Sequence, residues 1–245
     1  MTSVELFAYP WDVVDEGEGR FLDRCRELGI DRVHVAVSYH SGKFLLARNS
    51  RARVYFPEPG ARYFPASPAL WQGGLDQPVS EVAANGWLEM SAACASDRGI
   101  ELSAWAVFFH NSALGARYPH LTIENAFGDR YPFALCPSRP EVQDHAADLK
   151  PLVARFHLLA YGSDPAAENS DLVFVLAMLG DPGRVNLTLN LGEPITSTFS
   201  QAAAKVEFAL RQGVTRFSFF NYSFLGEARL RWIRDLACLA RSQHP

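Results

Sequence analysis

Residues 185–194 read Val-Asn-Leu-Thr-Leu-Asn-Leu-Gly-Glu-Pro. Val185, Leu187, Leu189 and Leu191 alternate with Asn186, Thr188 and Asn190, the period of a strand whose two faces meet different surroundings. One face is hidden in apolar packing and the other is hydrated or hydrogen-bonded. Gly192 and Pro194 end the strand and leave a carboxylate, Glu193, at its C-terminal edge. In βα-repeat proteins that edge is where ligands bind.

The same unit recurs along the chain. Glu5 to Trp11 reads as a first strand with Asp12 at its end. An amphipathic helix follows, carrying Phe21, Leu22, Cys25 and Leu28 and stopped by Gly29. Arg32 to His40 is a second strand, with Val33, Val35 and Val37 on one face and His34, Ala36, Ser38 and His40 on the other. A long loop rich in Pro, Gly and aromatics then runs from 41 to about 78. A loop of that length inside a compact domain is usually functional, and we expect it to form a wall over the site. Val79 to Arg98 has helical spacing, and Ile100 to Phe109 is a third strand running into His110-Asn111-Ser112. A second insertion, 110–140, leads to a helix from Glu141 to Leu149. Val153 to Tyr161 is a fourth strand, 166–179 a helix, Val185 to Leu191 the fifth strand, and Phe199 to Gln212 a helix closed by Gly213. Thr215 to Tyr222 is the sixth strand and Glu227 to Arg241 the closing helix.

Strands alternating with helices predict an α/β protein whose strands run parallel, here a TIM-barrel-like (β/α) repeat. A complete barrel needs eight strands. The six found leave three alternatives: short strands hidden in the long loops, a barrel reduced or open on one side, or a barrel completed by a second chain. An open barrel exposes sheet edges, which proteins normally pair or cover, so a homodimer is expected. At 245 residues and 48% hydrophobic the chain suits a single domain, 1–245, with loops 41–78 and 110–140 over the C-terminal face.

Composition narrows the partners. A net charge of -4 and a pI near 6.0 argue against a nucleic-acid surface, which is normally basic and clustered. No apolar run approaches the roughly 18 residues that cross a bilayer, so no membrane partner is expected. Cys25, Cys94, Cys136 and Cys238 are widely spaced and form no CxxC pair, which points to a cytoplasmic protein without disulfides. Without HxH, HExxH or a Gly-rich phosphate loop, neither metal nor cofactor is expected.

If the apolar face of each strand packs on helices, the other faces converge on the barrel axis. They bring together His34, Ser38, His40, Ser103, Trp105, His157, Tyr161, Asn186, Thr188, Asn190, Ser218 and Tyr222. Barrel interiors are usually filled with branched apolar residues. A lining rich in amides, imidazoles and hydroxyls therefore has two readings: a wet pocket for a polar ligand, or a buried network whose members satisfy one another. At the C-terminal rim the candidates are Tyr9, Trp11 and Asp12, then Tyr39 and His40, His110 and Asn111, Tyr161, Glu193, and Asn221 and Tyr222.

Carboxylates flanked by aromatics suit sugars, whose rings stack on apolar faces while their hydroxyls need directed partners. Glycoside cleavage generally uses two carboxyl groups, about 5–5.5 Å apart for retention and about 6.5–9.5 Å for inversion. Glu193 and Asp12 are the available pair. On strands two apart at about 4.8 Å per strand, their backbones would stand roughly 10 Å from each other. Asp12 can equally be a helix cap, and Glu193 a solvated loop acid. His40 and His110 offer a separate acid/base pair.

The segments Tyr9-Pro10-Trp11-Asp12, Val37 to Gly42, Val54 to Gly60, His110-Asn111-Ser112, Asn125 to Asp129 with Cys136-Pro137, Leu159 to Gly162, and Phe220-Asn221-Tyr222 together resemble a group of bacterial TIM-barrel proteins described as glycoside-hydrolase-like. The resemblance runs through most of the chain and implies a barrel and a sugar-like substrate. Such proteins look longer, with further strands where Lys150-Pro151-Leu152 joins a helix to a strand almost directly here. In glycosidase barrels of this kind the acid/base commonly follows the fourth strand, which this chain lacks at that place. Glu193 resembles the nucleophile position near the seventh strand.

These readings give Glu193, Asp12, His40 and His110 as catalytic candidates. Tyr9, Trp11, Tyr39, Trp105, Asn111, Tyr161, Asn190, Asn221 and Tyr222 are substrate-binding candidates. The expected activity is glycoside-hydrolase-like, on a sugar or glycosylated small molecule. The alternatives are isomerase, lyase or cyclase chemistry on a small polar metabolite through His or Tyr, and a non-catalytic carbohydrate-binding barrel.

Overall fold

A computed structural model describes residues 2–65, 75–107, 109–136, 138–147, 156–160, 169, 172–173, 176, 181–192 and 195–243; for 143–144, 146–147 and 156–160 it describes the backbone alone. The strands in chain order are β1 (Ser3–Ala8), β2 (Arg32–Ser38), β3 (Phe44–Leu45), β4 (Val54–Tyr55), β5 (Glu101–Ala106), β6 (Thr122–Glu124), β7 (Arg130–Leu135), β8 (Phe156–Ala160), β9 (Val185–Asn190) and β10 (Arg216–Phe220). Six of them form one parallel sheet in the order β5-β2-β1-β10-β9-β8. The first and last strands of the chain thus lie side by side, as in a barrel that closes on itself. Among the described residues the sheet stays open between β5 and β8, where the sequence runs short of two βα units. The fold is α/β and TIM-barrel-like, with the barrel unclosed. No described helix is long and apolar enough to cross a membrane.

Strand parity decides what each face packs against. Leu6, Val33, Val35, Leu187, Leu189, Phe217 and Phe219 are buried in one cluster with Phe21, Leu22 and Cys25 of helix Glu18–Glu27, Val206 and Ala209 of helix Phe199–Arg211, and Leu230 and Ile233 of helix Glu227–Gln243. This is the apolar face that the alternation predicts. All four cysteines are free thiols.

The opposite face carries a charge cluster centred on Glu5, which is fully buried. Its Oε2 accepts from His34 Nε2 at 2.6 Å and from Asn186 Nδ2 at 2.8 Å. Its Oε1 accepts from Arg32 Nη1 at 3.2 Å and Ser3 Oγ at 3.1 Å. Ser218 Oγ donates to Asn186 Oδ1 at 2.7 Å, and Arg32 also pairs with Glu101. One carboxylate therefore ties β1 to β2, β9 and, through Asn186 and Arg32, to β10 and β5. For His34, Asn186 and Ser218 the sequence left a pocket and a self-satisfied network as alternatives; the network is what forms. The side chain of His157 lies outside the described residues.

The strands are shorter than the sequence reading gave, the second ending at Ser38, the third spanning Glu101–Ala106 and the last Arg216–Phe220, and further differences are local. The first strand ends at Ala8 rather than Trp11, because Pro10 opens a helix, Pro10–Glu16, behind an extended Tyr9. The helix expected over 79–98 is a 3-10 turn, Glu81–Asn85, and a helix, Trp87–Asp97, separated by Gly86 at φ 60. The second insertion contains an antiparallel hairpin, β6–β7. Its turn is built by Asn125, whose side chain accepts from the N–H groups of Phe127 at 2.9 Å and Asp129 at 3.0 Å, and by Gly128 at φ 88. Of the fourth strand's expected span, 156–160 is strand and the rest lies outside the described residues, as does most of the helix expected over 166–179.

Burial alone would raise the pKa of Glu5. The hydrogen bond from His34 and the charges of His34 and Arg32 outweigh it and hold the group below its ordinary 4.5. A depressed carboxylate contributes stability that is present above about pH 4.5 and lost as pH falls through the folded-state value. Glu5→Ala should cost about 3–5 kcal/mol in urea unfolding, since it removes the carboxylate on which the buried His34, Asn186 and Arg32 converge. Glu5→Gln should flatten the acid limb of the stability curve; an unchanged limb would exclude Glu5 as its source.

Candidate active site at the sheet's C-terminal edge

Above the Glu5 cluster the interior turns aromatic. Phe7, two residues on from Glu5, stacks on His34 at 4.7 Å and meets the edge of Trp105 at 5.0 Å. Phe220 closes on Trp105 at 5.7 Å. At the strand ends Tyr9 stacks on Trp11 at 4.5 Å and meets Tyr39 edge-on at 5.0 Å. The first long loop supplies Phe44, 5.2 Å from Tyr9, and Tyr55, stacked on Trp11 at 4.2 Å. Burial raises the pKa of the Tyr39 phenol, so it stays a neutral hydrogen-bonding group. The indole N–H of Trp11 and the Nδ2 of Asn221 are buried donors that meet no acceptor among the described residues.

The ionisable groups at this edge divide into free and engaged. His40 is half-buried and His110 exposed; their rings stack at 4.5 Å and 14°. His40 also stacks on Tyr39 at 4.2 Å, and its Nδ1 lies 2.5 Å from the Ser41 carbonyl. Partial burial, and then the neighbouring His40, lower the pKa of His110 below 6.5. His110 is thus mostly neutral imidazole at pH 7, able to accept a proton.

Asp12 is engaged. Its Oδ2 accepts the Tyr9 backbone N–H at 2.9 Å and its Oδ1 the Ser223 hydroxyl at 2.6 Å, with 5% of the residue exposed. Burial raises its pKa to about 7 against those two hydrogen bonds. Asp12 is not the N-cap that the sequence suggested: Tyr9 holds that position, and Asp12, the third residue of the helix, reaches back to the Tyr9 N–H while its other oxygen fastens the β1 end to the β10 end.

Other candidates are also held by local bonds. Asn111 caps helix Ser112–Arg117 by accepting the Leu114 N–H at 2.9 Å and donates to the Gly60 carbonyl at 3.1 Å. Asn190 Oδ1 accepts the Gly192 N–H at 2.9 Å, and Asn221 Oδ1 the Ser223 N–H at 3.0 Å. Tyr222 is turned away from the rings at the mouth and packed on Phe21. Its hydroxyl donates to Glu16 at 2.8 Å and accepts from Arg48 at 3.0 Å, and the Arg48 guanidinium lies 3.8 Å from its ring centre. Glu193 and Tyr161 lie outside the described residues.

The structure thus brings together Tyr9, Trp11, Tyr39, His40, Trp105 and His110. It places Asp12, Asn111, Asn221 and Tyr222 in supporting contacts. Sequence reasoning missed Phe44, Tyr55 and Phe220 as parts of this wall, although Phe220 shares strand parity with Ser218. A cleft of about 430 Å³ opens elsewhere, between helices Pro10–Glu16 and Glu18–Glu27 and residues 48–50. Several of its charges are already paired, Glu16 with Arg48, Asp23 with Arg98 and Arg24 with Glu227.

No family model matches this chain, and no curated protein matches its sequence. Among solved structures it is similar to alpha-L-fucosidase isoenzyme 2 from Paenibacillus thiaminolyticus, with a TM-score of 0.56 at 8% identity over 97% of this chain and 49% of that one. The likeness is one of fold. An archaeal fructose-1,6-bisphosphate aldolase (TM-score 0.39, 15% identity, 98% of this chain and 94% of that one) and an alpha-amylase from Lactobacillus plantarum (0.37, 14%, 94% and 50%) align more weakly. The chain spans about half the length of the fucosidase and of the amylase.

The raised pKa of Asp12 carries a stability signature. An unfolded aspartate loses its proton near 3.8 and the folded one near 7, so Asp12 makes folding progressively less favourable between those values. Asp12→Asn keeps an acceptor for Tyr9 N–H and can donate to Ser223 Oγ. It should match wild type near pH 4 and exceed it by about 1–3 kcal/mol near pH 8. Equal stabilities at both pH values, read by chemical denaturation, would refute this account of the carboxyl.

Proposed function

We propose that this chain acts on a sugar or a glycosylated small molecule, bound at the aromatic C-terminal mouth of the sheet and turned over by acid/base chemistry. The observation that carries the reading is the stacked His40–His110 pair, accessible at the edge of a wall formed by Tyr9, Trp11, Tyr39 and Trp105. The half-buried Trp105 and the exposed His110 offer ring faces to the C–H face of a sugar, and the buried indole N–H of Trp11 behind them meets no acceptor among the described residues. A similar fold in a protein named as a fucosidase is in keeping with this reading, though at 8% identity it does not identify a substrate.

In this proposal Glu193, immediately after Gly192 at the end of β9, supplies the carboxylate. His110, kept largely neutral by burial and by His40, accepts or returns the proton. Asp12 holds the β1 and β10 ends in place instead of reacting, because both of its oxygens already accept protein hydrogen bonds. The neutral imidazole also favours a second reading, proton transfer within a small polar metabolite as in an isomerase or lyase, which needs His110 but not a carboxylate pair.

The two readings separate on Glu193. With a panel of aryl glycosides as probes, Glu193→Gln should lower kcat by about 10²–10⁴-fold while leaving sugar binding in place. Unchanged turnover would remove Glu193 from the mechanism. The pH dependence tests His110. Activity that needs its neutral form should fall as pH drops through a value below 6.5. His40→Gln removes the neighbour's electrostatic contribution and should move that limb upward toward 6.5, leaving the part due to burial. A limb that stays put in His40→Gln would exclude His110 as the group titrating.

A further inference from the structure

The ring contacts do not stop at the mouth. His110 lies 5.3 Å from Phe133, and Phe133 lies 6.2 Å from Tyr131, both on β7 of the hairpin. With His40 stacked on His110, these rings form a single file that starts beside the buried Tyr39 and runs outward. Phe133 is 46% exposed and Tyr131 40%. Large apolar rings left half in water along one line are a feature to be explained, because scattered exposure would not align them with a candidate site.

The file is rigidly placed. Phe133 O accepts the Asn111 N–H at 2.9 Å, the Leu135 N–H donates to Phe109 O at 2.7 Å, and His110 bridges to Ala134. Beneath β7, helix Ser112–Arg117 approaches so closely that a Cβ on Gly115 would stand 1.9 Å from the Pro132 carbonyl oxygen. The hairpin is therefore locked to the end of β5. Polar groups accompany the rings: the Ser41 and Ser112 hydroxyls lie 3.3 Å apart where the file begins, and Asn125 Nδ2 lies 3.5 Å from the Tyr131 hydroxyl where it ends.

We propose that this file is an outer binding site for an extended saccharide, so that the substrate of the mouth is a unit of an oligosaccharide chain. The inference rests on the sugar reading above and adds the substrate class. The rings, with imidazole, hydroxyl and amide groups beside them, offer the mix of apolar faces and hydrogen-bonding groups that the amphipathic faces of successive sugar units take up.

The probes are graded series of β-1,4- and α-1,4-linked oligosaccharides from one to six units, titrated calorimetrically into the full chain. Wild-type affinity should rise with length by about tenfold or more. The double variant Phe133→Ala, Tyr131→Ala should lose most of that rise, about five- to tenfold for the longest member, and bind the monosaccharide as wild type does. Phe133→Leu keeps an apolar side chain without a ring face, and the same loss in it separates stacking from damage to the hairpin. A bound monosaccharide with no gain from length, in wild type, overturns this inference and leaves the sugar reading standing. No binding by any member overturns both. Concentration-dependent self-association that disappears in the double variant, with glycan affinity unchanged, would assign the file to a second copy of the chain instead.

Discussion

A single buried carboxylate, Glu5, holds the centre of this protein. Removing its charge from water is costly, and the cost is offset only because His34, Asn186, Arg32 and Ser3 all donate to its two oxygens. His34 and Arg32 sit on β2 and Asn186 on β9, so the requirement fixes strand neighbours as well as one side chain. The directly paired ends of the chain, β1 and β10, are joined through the same cluster by Ser218 and Asn186. Such directional bonds specify register in a way that apolar packing does not.

This cluster explains why the site lies where it does. Branched apolar layers usually fill a barrel interior. Here charge occupies the level of Glu5 and rings occupy the level above, from Phe7 to Trp105 and Phe220. Among the described residues this lower level is filled by the buried side chains of Glu5, His34, Asn186, Thr188 and Ser218. At the strand ends the first loop brings Phe44 and Tyr55 onto Tyr9 and Trp11, while Asp12 and Ser223 fasten the β1 and β10 ends to each other.

The engaged residues set a division of labour. Asn111, Asn190, Asn221 and Asp12 satisfy backbone groups where helices begin and strands end, as short polar side chains do at such positions. Tyr222 and Arg48 lock the final strand's exit against Glu16. The aromatic wall and the imidazole pair are held between these local contacts.

The sequence by itself determined the α/β class, the parallel strands and their apolar outer faces. Those follow from periodicities of two and 3.6 residues, which local chemistry writes directly into the chain. It also marked Tyr9, Trp11, Tyr39, His40, Trp105 and His110, because strand ends with aromatic and imidazole side chains stand out in one dimension. Tertiary structure alone decided which polar residues would be spent on one another. Glu5 reads as an ordinary strand residue until His34, 29 positions away, and Asn186, 181 positions away, converge on it. Asp12 reads equally as catalyst or cap until Ser223 arrives at its free oxygen. A hydrogen bond is satisfied in three dimensions, and no periodicity records which distant partner will satisfy it.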